Sequence, residues 1–296
     1  MRLDTVLEGR RQPVFSFEFF PPKTDEGVRQ LFETISHLRE LEPTFVSVTY
    51  GAGGSVRTRT VELVERIRRE LDIEPVAHLT CLDATVDELR EILDGLRSAG
   101  IDNVLALRGD PPDGAGRFVA TDGGLAHGSD LIEVITAAYP FCVGGACYPE
   151  KHPESASTDD DVRSAKLKED AGASYLITQL FFDNSCYFDF VARARAAGVT
   201  VPIIPGIMPV TNVSQIARFT QKIGATIPEP LMLALRSREA DPEAVLQLGV
   251  AWATLQCAEL LAGGAPGVHF CTMNRSPATR AILSALRAAR PWDRVR

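Results

Sequence analysis

The stretch VFSFEFFPPK (residues 14–23) reads as a short buried β-strand with one residue out of place. Val14 and four phenylalanines, Phe15, Phe17, Phe19 and Phe20, surround Glu18. A carboxylate in apolar surroundings must be paired, must stay protonated, or must do work. Two readings stay open at this point. Glu18 is either half of a structural ion pair inside the fold, or a carboxyl whose pKa its phenylalanine neighbours raise until it donates a proton near neutral pH.

Similar β-rich runs recur along the chain: FVSVTY (45–50), PVAHLTC (75–81), NVLALRG (103–109), FCVGGACY (141–148), YLITQLFF (175–182), PIIPGIM (202–208) and GVHFCTM (267–273). Amphipathic stretches such as GVRQLFETISHLREL and TRTVELVERIRREL separate them. TVDELREILDGLRSAG carries Thr85 at an N-cap position, Glu88 three residues on, and Gly100 at its end, which predicts a capping box and a glycine stop. Strands alternating with helices imply a parallel sheet. About eight such units in 296 residues predict an α/β fold, a single-domain (β/α)8 TIM barrel over 1–296. A doubly wound open sheet is the alternative. Two segments break the rhythm: a Gly/Pro-rich loop at 110–130 and a proline-bounded insertion at 225–242, before a long helix at about 243–263.

The formal net charge of −8 argues against a general nucleic-acid binder but leaves room for a local basic pocket that takes an anion. No run approaches ~18 consecutive apolar residues, so no membrane span is expected, and the N-terminus lacks a signal-peptide pattern. The six cysteines form no C-x-x-C pair. They read as buried thiols of a reducing cytoplasm rather than disulfides or metal ligands, and no His/Asp/Glu spacing suggests a metal.

In a barrel, chemistry sits at the C-terminal ends of the strands. There this sequence places Glu18, Thr49 and Tyr50, His78 and Thr80, Arg108 and Asp110, Tyr148 and Glu150, Gln179 and Asp183, and Asn274 and Arg275. Taken singly, His78 reads as a satisfied core histidine and Arg108–Asp110 as a structural ion pair. Their convergence points to a site. No Ser–His–acid triad or Cys–His pair is recognisable, so one general acid with an organic cofactor fits the inventory best. GAGGS (51–55) lacks the third glycine of a dinucleotide fingerprint, since Val56 takes that position, and reads as a tight βα turn beside a flat ligand. Asp161, Ser164 and Lys168 fall on roughly one helix face, either solvated or gripping a nucleotide.

Together these segments resemble methylenetetrahydrofolate reductase. FSFEFFPPKT, FVSVTYGAGG, AHLTCLDAT, NVLALRGDPP, YPEKHPE, DAGASYLITQLFFD, PIIPGIMPVTN and HFCTMNR occur in the family's order over about residues 14–290. The length resembles the bacterial type, a catalytic barrel without the additional regulatory domain of eukaryotic members. The resemblance implies FAD held non-covalently and reduced by NADH or NADPH. Methylenetetrahydrofolate then replaces the nicotinamide in ping-pong order and leaves as methyltetrahydrofolate, for methionine synthesis.

The resemblance also implies residue roles. Glu18 is the general acid that protonates the bridging amine and opens the ring to an iminium. Asp110 lies near flavin and pterin, and Gln179 hydrogen-bonds folate or nicotinamide. Gln215, Phe219 and Arg275 are further substrate contacts. Thr49, His78, Leu107, Arg108, Gly109, Asp110, Ala146, Tyr148, His152, Asp161, Ser164 and Lys168 line the FAD. His127, Ser164 and Leu167 depart from residues that many or some members carry, which implies weaker FAD retention. A homo-oligomer is expected, with folate as the small-molecule partner. Two rivals are a flavin-independent tetrahydropterin reductase that takes hydride directly from NAD(P)H, and a non-catalytic folate- or flavin-binding sensor.

Overall fold

The structure, a computed structural model, describes residues 1–50, 54–111 and 118–295. Its strands are β1 (Val14–Phe19), β2 (Phe45–Val48), β3 (Pro75–Thr80), β4 (Asn103–Leu107), β5 (Cys142–Cys147), β6 (Tyr175–Thr178), β7 (Ile203–Ile204), β8 (Gly206–Ile207) and β9 (Gly267–Cys271). The helices are α1 (Leu3–Gly9), α2 (Asp25–Arg39), α3 (Gly54–Arg66), α4 (Val86–Ser98), α5 (Gly128–Ala138) and α6 (Thr158–Asp170). They continue with α7 (Asn184–Ala196), α8 (Val213–Ile223), α9 (Glu229–Arg236), α10 (Pro242–Ala262) and α11 (Pro277–Ala289). All strand pairings are parallel, in the order β7-β6-β5-β4-β3-β2-β1-β9-β8. This is the expected single-domain (β/α)8 barrel, and the open-sheet alternative falls.

The seventh barrel strand, anticipated as one run over 202–208, is split in two. Pro205 has no N–H to give to a ladder. On its N-terminal side Ile203 and Ile204 register with Leu176 and Ile177 of β6. On its C-terminal side Gly206 and Ile207 register with His269 and Phe270 of β9. The Pro205 carbonyl accepts from the His269 N–H at 2.9 Å, and the Gly206 N–H donates to the Thr178 hydroxyl at 2.9 Å. The two halves sit at opposite ends of the pairing order, so between them they bridge β6 to β9.

Successive strand residues point to opposite faces. Phe15, Phe17 and Phe19 join the sheet–helix core with Leu31, Ile35 and Leu63. Val14 faces a second cluster inside the barrel with Phe45, Val76, Leu105, Tyr175 and Ile204. Helix α1 supplies Leu3 and Leu7 to that inner cluster, and Asn103 Oδ1 accepts from the Leu3 N–H at 2.8 Å. That end of the barrel is therefore filled, and chemistry is left to the opposite mouth.

The Thr85–Glu88 capping box is present at α4. By length and composition α10 is apolar enough to cross a membrane, yet it packs on α7, α9 and α11. A Cβ at Gly249 would lie 1.8 Å from the Val210 carbonyl oxygen, so only glycine lets α10 approach the chain there. All six cysteines are free, and four are buried as expected; Cys186, in the first turn of α7, and Cys271, at the end of β9, are instead partly exposed.

Candidate active site

The alternation that buries the phenylalanines sends Ser16 and Glu18 the other way, into the barrel. Ser16 registers with His269 on β9, and Glu18 with Cys271 on β9 and Ser47 on β2. Ser16 Oγ lies 2.7 Å from His269 Nδ1, and His269 Nε2 lies 3.5 Å from Glu18 Oε2. A hydroxyl donating to Nδ1 leaves the ring proton on Nε2, aimed at the carboxylate. His78 Nε2 approaches the same oxygen at 3.7 Å. His78 and His269 are buried, whereas the Glu18 side chain keeps 16% exposure at the mouth.

This geometry corrects the expected pKa of Glu18. Its sequence neighbours Phe17 and Phe19 face the helices and do not enclose the carboxyl. Burial does act upward on Glu18, but the His269 hydrogen bond, the charge of the two histidines and the Cys271 thiol outweigh it and hold the pKa below the usual carboxylate value. Burial pushes His78 down to about 4 despite Glu18 beside it, so this ring is neutral at pH 7. The site therefore rests as a carboxylate beside a neutral His78, with the His269 ring on its other side. Among the described residues no arginine pairs with Glu18; its charged partners are the two histidines.

The ends of β4 and β5 carry the cationic part of the mouth. Arg108 NH1 and NH2 donate to Glu154 Oε2 and Oε1 at 2.7 and 3.2 Å, and its Nε donates to the Gly109 carbonyl at 3.2 Å. Asp110 is exposed, and its carboxylate is 3.9 Å from Arg108 NH2, a loose pair. Gly109 adopts φ +87°, and a Cβ there would meet Leu82 Cβ at 2.9 Å, so the turn after β4 needs glycine. On α6, the half-buried Lys168 donates to the Ala146 carbonyl at 2.8 Å. Asp161 is buried and accepts from the His152 N–H at 3.2 Å and the Ser155 hydroxyl at 2.8 Å. Burial raises the Asp161 pKa and lowers those of His152 and Lys168. The Tyr148 ring meets His152 edge-on at 4.6 Å, and burial pushes its hydroxyl pKa up.

Thr49, Leu107 and Ala146 lie at or just past the ends of β2, β4 and β5 and are half-buried. Gln179 follows β6, where its Oε1 accepts from the Leu180 N–H at 2.9 Å. Gln215 is exposed in the first turn of α8, and Phe219, one turn on, packs against the Leu180–Phe182–Met208 cluster. Arg275 is exposed in the β9–α11 loop. Asn274 just before it has φ +58°. It clamps Phe20, accepting from the Phe20 N–H and donating to its carbonyl, both at 2.8 Å. Thr272 donates to the Glu18 carbonyl at 2.7 Å. The end of β1 that presents Glu18 is thus held from β9.

Ser164 is half-buried on α6, while Leu167 on that helix and His127 at the start of α5 are exposed. The GAGGS turn begins with Gly51–Gly53, which lie outside the described residues. Sequence reasoning missed Ser16, Ser47, Glu154, His269 and Cys271 as members of the site.

Comparison with known proteins agrees with this architecture. The family model described as methylenetetrahydrofolate reductase matches residues 2–287. The 5,10-methylenetetrahydrofolate reductase of Escherichia coli is 39% identical, over 95% of this chain and 93% of its own length. Methylenetetrahydrofolate reductase (NADH) 1 of Arabidopsis thaliana is 38% identical over 99% of this chain, which spans about half the length of that plant relative. Among solved structures, an uncharacterized protein from Clostridium thermocellum that binds two copies of 5-methyl-5,6,7,8-tetrahydrofolic acid shares the fold, with TM-score 0.66 at 18% identity. That match covers 97% of this chain and 98% of the other. A family match running nearly end to end, with a bacterial relative matched over almost its whole length, settles the affiliation: the chain belongs to the methylenetetrahydrofolate reductase family.

Proposed function

We propose that this protein reduces methylenetetrahydrofolate to methyltetrahydrofolate, using FAD and a nicotinamide donor, with Glu18 as the proton donor. The observation that carries this reading is the Ser16–His269–Glu18 chain, joined by His78 beneath an open mouth flanked by Arg108 after β4 and Lys168 on α6. The plant relatives' names specify NADH, which favours NADH as donor.

The residues present suit an anionic dinucleotide. Among the described residues Lys168 makes no ion pair; its amino group donates to a carbonyl. A partly desolvated ammonium with no carboxylate in direct contact is costly, and a phosphate supplies a close counter-charge. Arg108 provides a planar fork nearby, and Tyr148 an aromatic surface. FAD, when bound, supplies hydride transfer between the nicotinamide and the folate methylene.

The chain supplies the proton. Glu18 is ionised in the free protein, so it must take up a proton before it acts as an acid. Burial is already the largest single influence on Glu18, and it acts upward. A flat ligand covering the mouth strengthens that influence, since it removes the remaining water from the carboxyl. His269, oriented by Ser16, holds the Glu18 carboxyl in place as its charge changes. Asp110 and Gln179, at the rims of β4 and β6, orient the bound heterocycle. Arg275 and Gln215 are free to meet the rest of the folate.

Absorbance spectroscopy tests this reading. The purified protein, supplied with FAD, should be yellow, bleach on anaerobic NADH addition, and regain colour when methylenetetrahydrofolate follows. A colourless protein that reduces the folate with NADH alone, or a yellow one with no turnover, would reject it.

A further inference from the structure

The Glu154 carboxylate occupies the Arg108 guanidinium through two N–H groups, and the Gly109 carbonyl takes a third. Two of the five N–H donors remain. The Phe118 ring lies 4.9 Å from Arg108 Cζ and covers one guanidinium face. Arg108 thus reaches the mouth with its charge already matched. Among the described residues Lys168 makes no direct ion pair; Asp161 on its own helix acts to raise its pKa and Arg108 to lower it, both less than burial does.

Glu154 is presented by a stapled segment rather than a wandering side chain. Its own N–H donates to His152 Nδ1 at 3.0 Å, the His152 N–H donates to Asp161 Oδ2, and the Ser155 hydroxyl donates to Asp161 Oδ1. Asp161 belongs to α6, the helix that carries Lys168. The same helix therefore fixes both Lys168 and the carboxylate that neutralises Arg108. The Arg108 hydrogen bond is also the main reason that the Glu154 pKa lies below its usual value.

We propose that Glu154 is a built-in counter-anion of the nucleotide site: it holds Arg108 in place and must share it with an incoming diphosphate, so it sets how tightly the site binds. The inference rests on the reading of this mouth as a dinucleotide site. Glu154 acts through Arg108 and is a positioning residue. Removing its charge while keeping its shape frees Arg108 for the ligand.

The test compares the wild type, Glu154→Gln, Arg108→Gln and the double variant, each freed of nucleotide. FAD binding is read by flavin fluorescence and ADP binding by calorimetry, at low and high salt. Glu154→Gln should bind both ligands about 1.5- to 5-fold more tightly, the scale of one solvent-facing charge pair. That gain should shrink at high salt and vanish when Arg108 is also Gln. Equal or weaker binding by Glu154→Gln, or a gain that survives loss of Arg108, would overturn the proposal. If the wild type binds ADP but not FAD, the flavin reading fails, while the ADP comparison still decides the counter-anion role. Binding of neither ligand would reject both.

Discussion

Replacing Lys168 with Met separates what this residue does for the fold from what it does for a ligand. Met keeps the length and apolar stem of the side chain and removes the charge. In the free protein the ammonium is partly desolvated, and burial is the largest influence on its pKa, acting downward. The folded pKa lies below the unfolded one, so the unfolded chain holds the proton more readily and charging costs folding free energy. Met removes that cost and also removes the donor to the Ala146 carbonyl, a loss of about 1 kcal/mol. The two offset, and the ligand-free melting temperature should stay within about 2 °C of the parent.

The effect on FAD is one-sided. A charge-assisted hydrogen bond contributes about 1.5–3 kcal/mol, so its loss should weaken Kd about 10- to 100-fold. With FAD at a hundredfold excess over the parent Kd, binding stabilises the parent by about 2.7 kcal/mol. An unfolding entropy of about 2.1 cal/mol/K per residue over 296 residues turns that into a rise of about 4 °C. For Lys168→Met at the same FAD concentration, the added stability falls to about 0.4–1.4 kcal/mol, a rise of about 1–2 °C. Thermal melts with and without FAD, together with a flavin titration, measure both quantities. Full FAD protection in the variant would refute the role given to Lys168. So would a large loss of ligand-free stability, because the residue would then be a structural partner.

Asn274→Ala removes both bonds to Phe20 and places alanine at φ +58°; a loss of about 2–3 kcal/mol is expected from urea melts. Asn274→Gly, free of the backbone penalty, should recover about 1 kcal/mol of it, and no recovery would argue against strain there. The His78 pKa is about 4 in the folded chain against 6.5 unfolded. The unfolded chain therefore binds more protons across that window, and stability should fall as pH drops from 6.5 to 4. The lowered Glu18 pKa acts in the same direction below about 4.5. Denaturant melts of His78→Asn at pH 7 and pH 5 should show a shallower loss than the parent, and identical slopes would count against a neutral buried ring.

The barrel was legible because each strand announces itself by composition and each helix by its period and caps, as at Thr85 and Glu88. The split of the seventh strand turns on Pro205, which composition alone folds into one apolar run. Glu18 was found for a reason that proved partly wrong. Its chain neighbours are phenylalanines, but a period of two sends neighbours to opposite faces, so the side chains that set its pKa come from β3 and β9. Ser16 and His269 share a face with Glu18 only in a particular inter-strand register, and one sequence does not state a register. Glu154 was missed because it meets Arg108 across 46 residues, through a segment that folds back over the end of β4. Lys168 was legible as a candidate cation, since a lysine at helical spacing from Asp161 and Ser164 is a local pattern.

The most direct test of the proton-donor role is a stopped-flow comparison of the two half-reactions in Glu18→Gln. Flavin reduction by NADH should proceed at a rate close to the parent's, since no proton from Glu18 enters that step. Reoxidation of the reduced flavin by methylenetetrahydrofolate should slow about 10²- to 10⁴-fold, the usual worth of a positioned general acid. Reoxidation at the parental rate, with the folate bound, would contradict the assignment of Glu18.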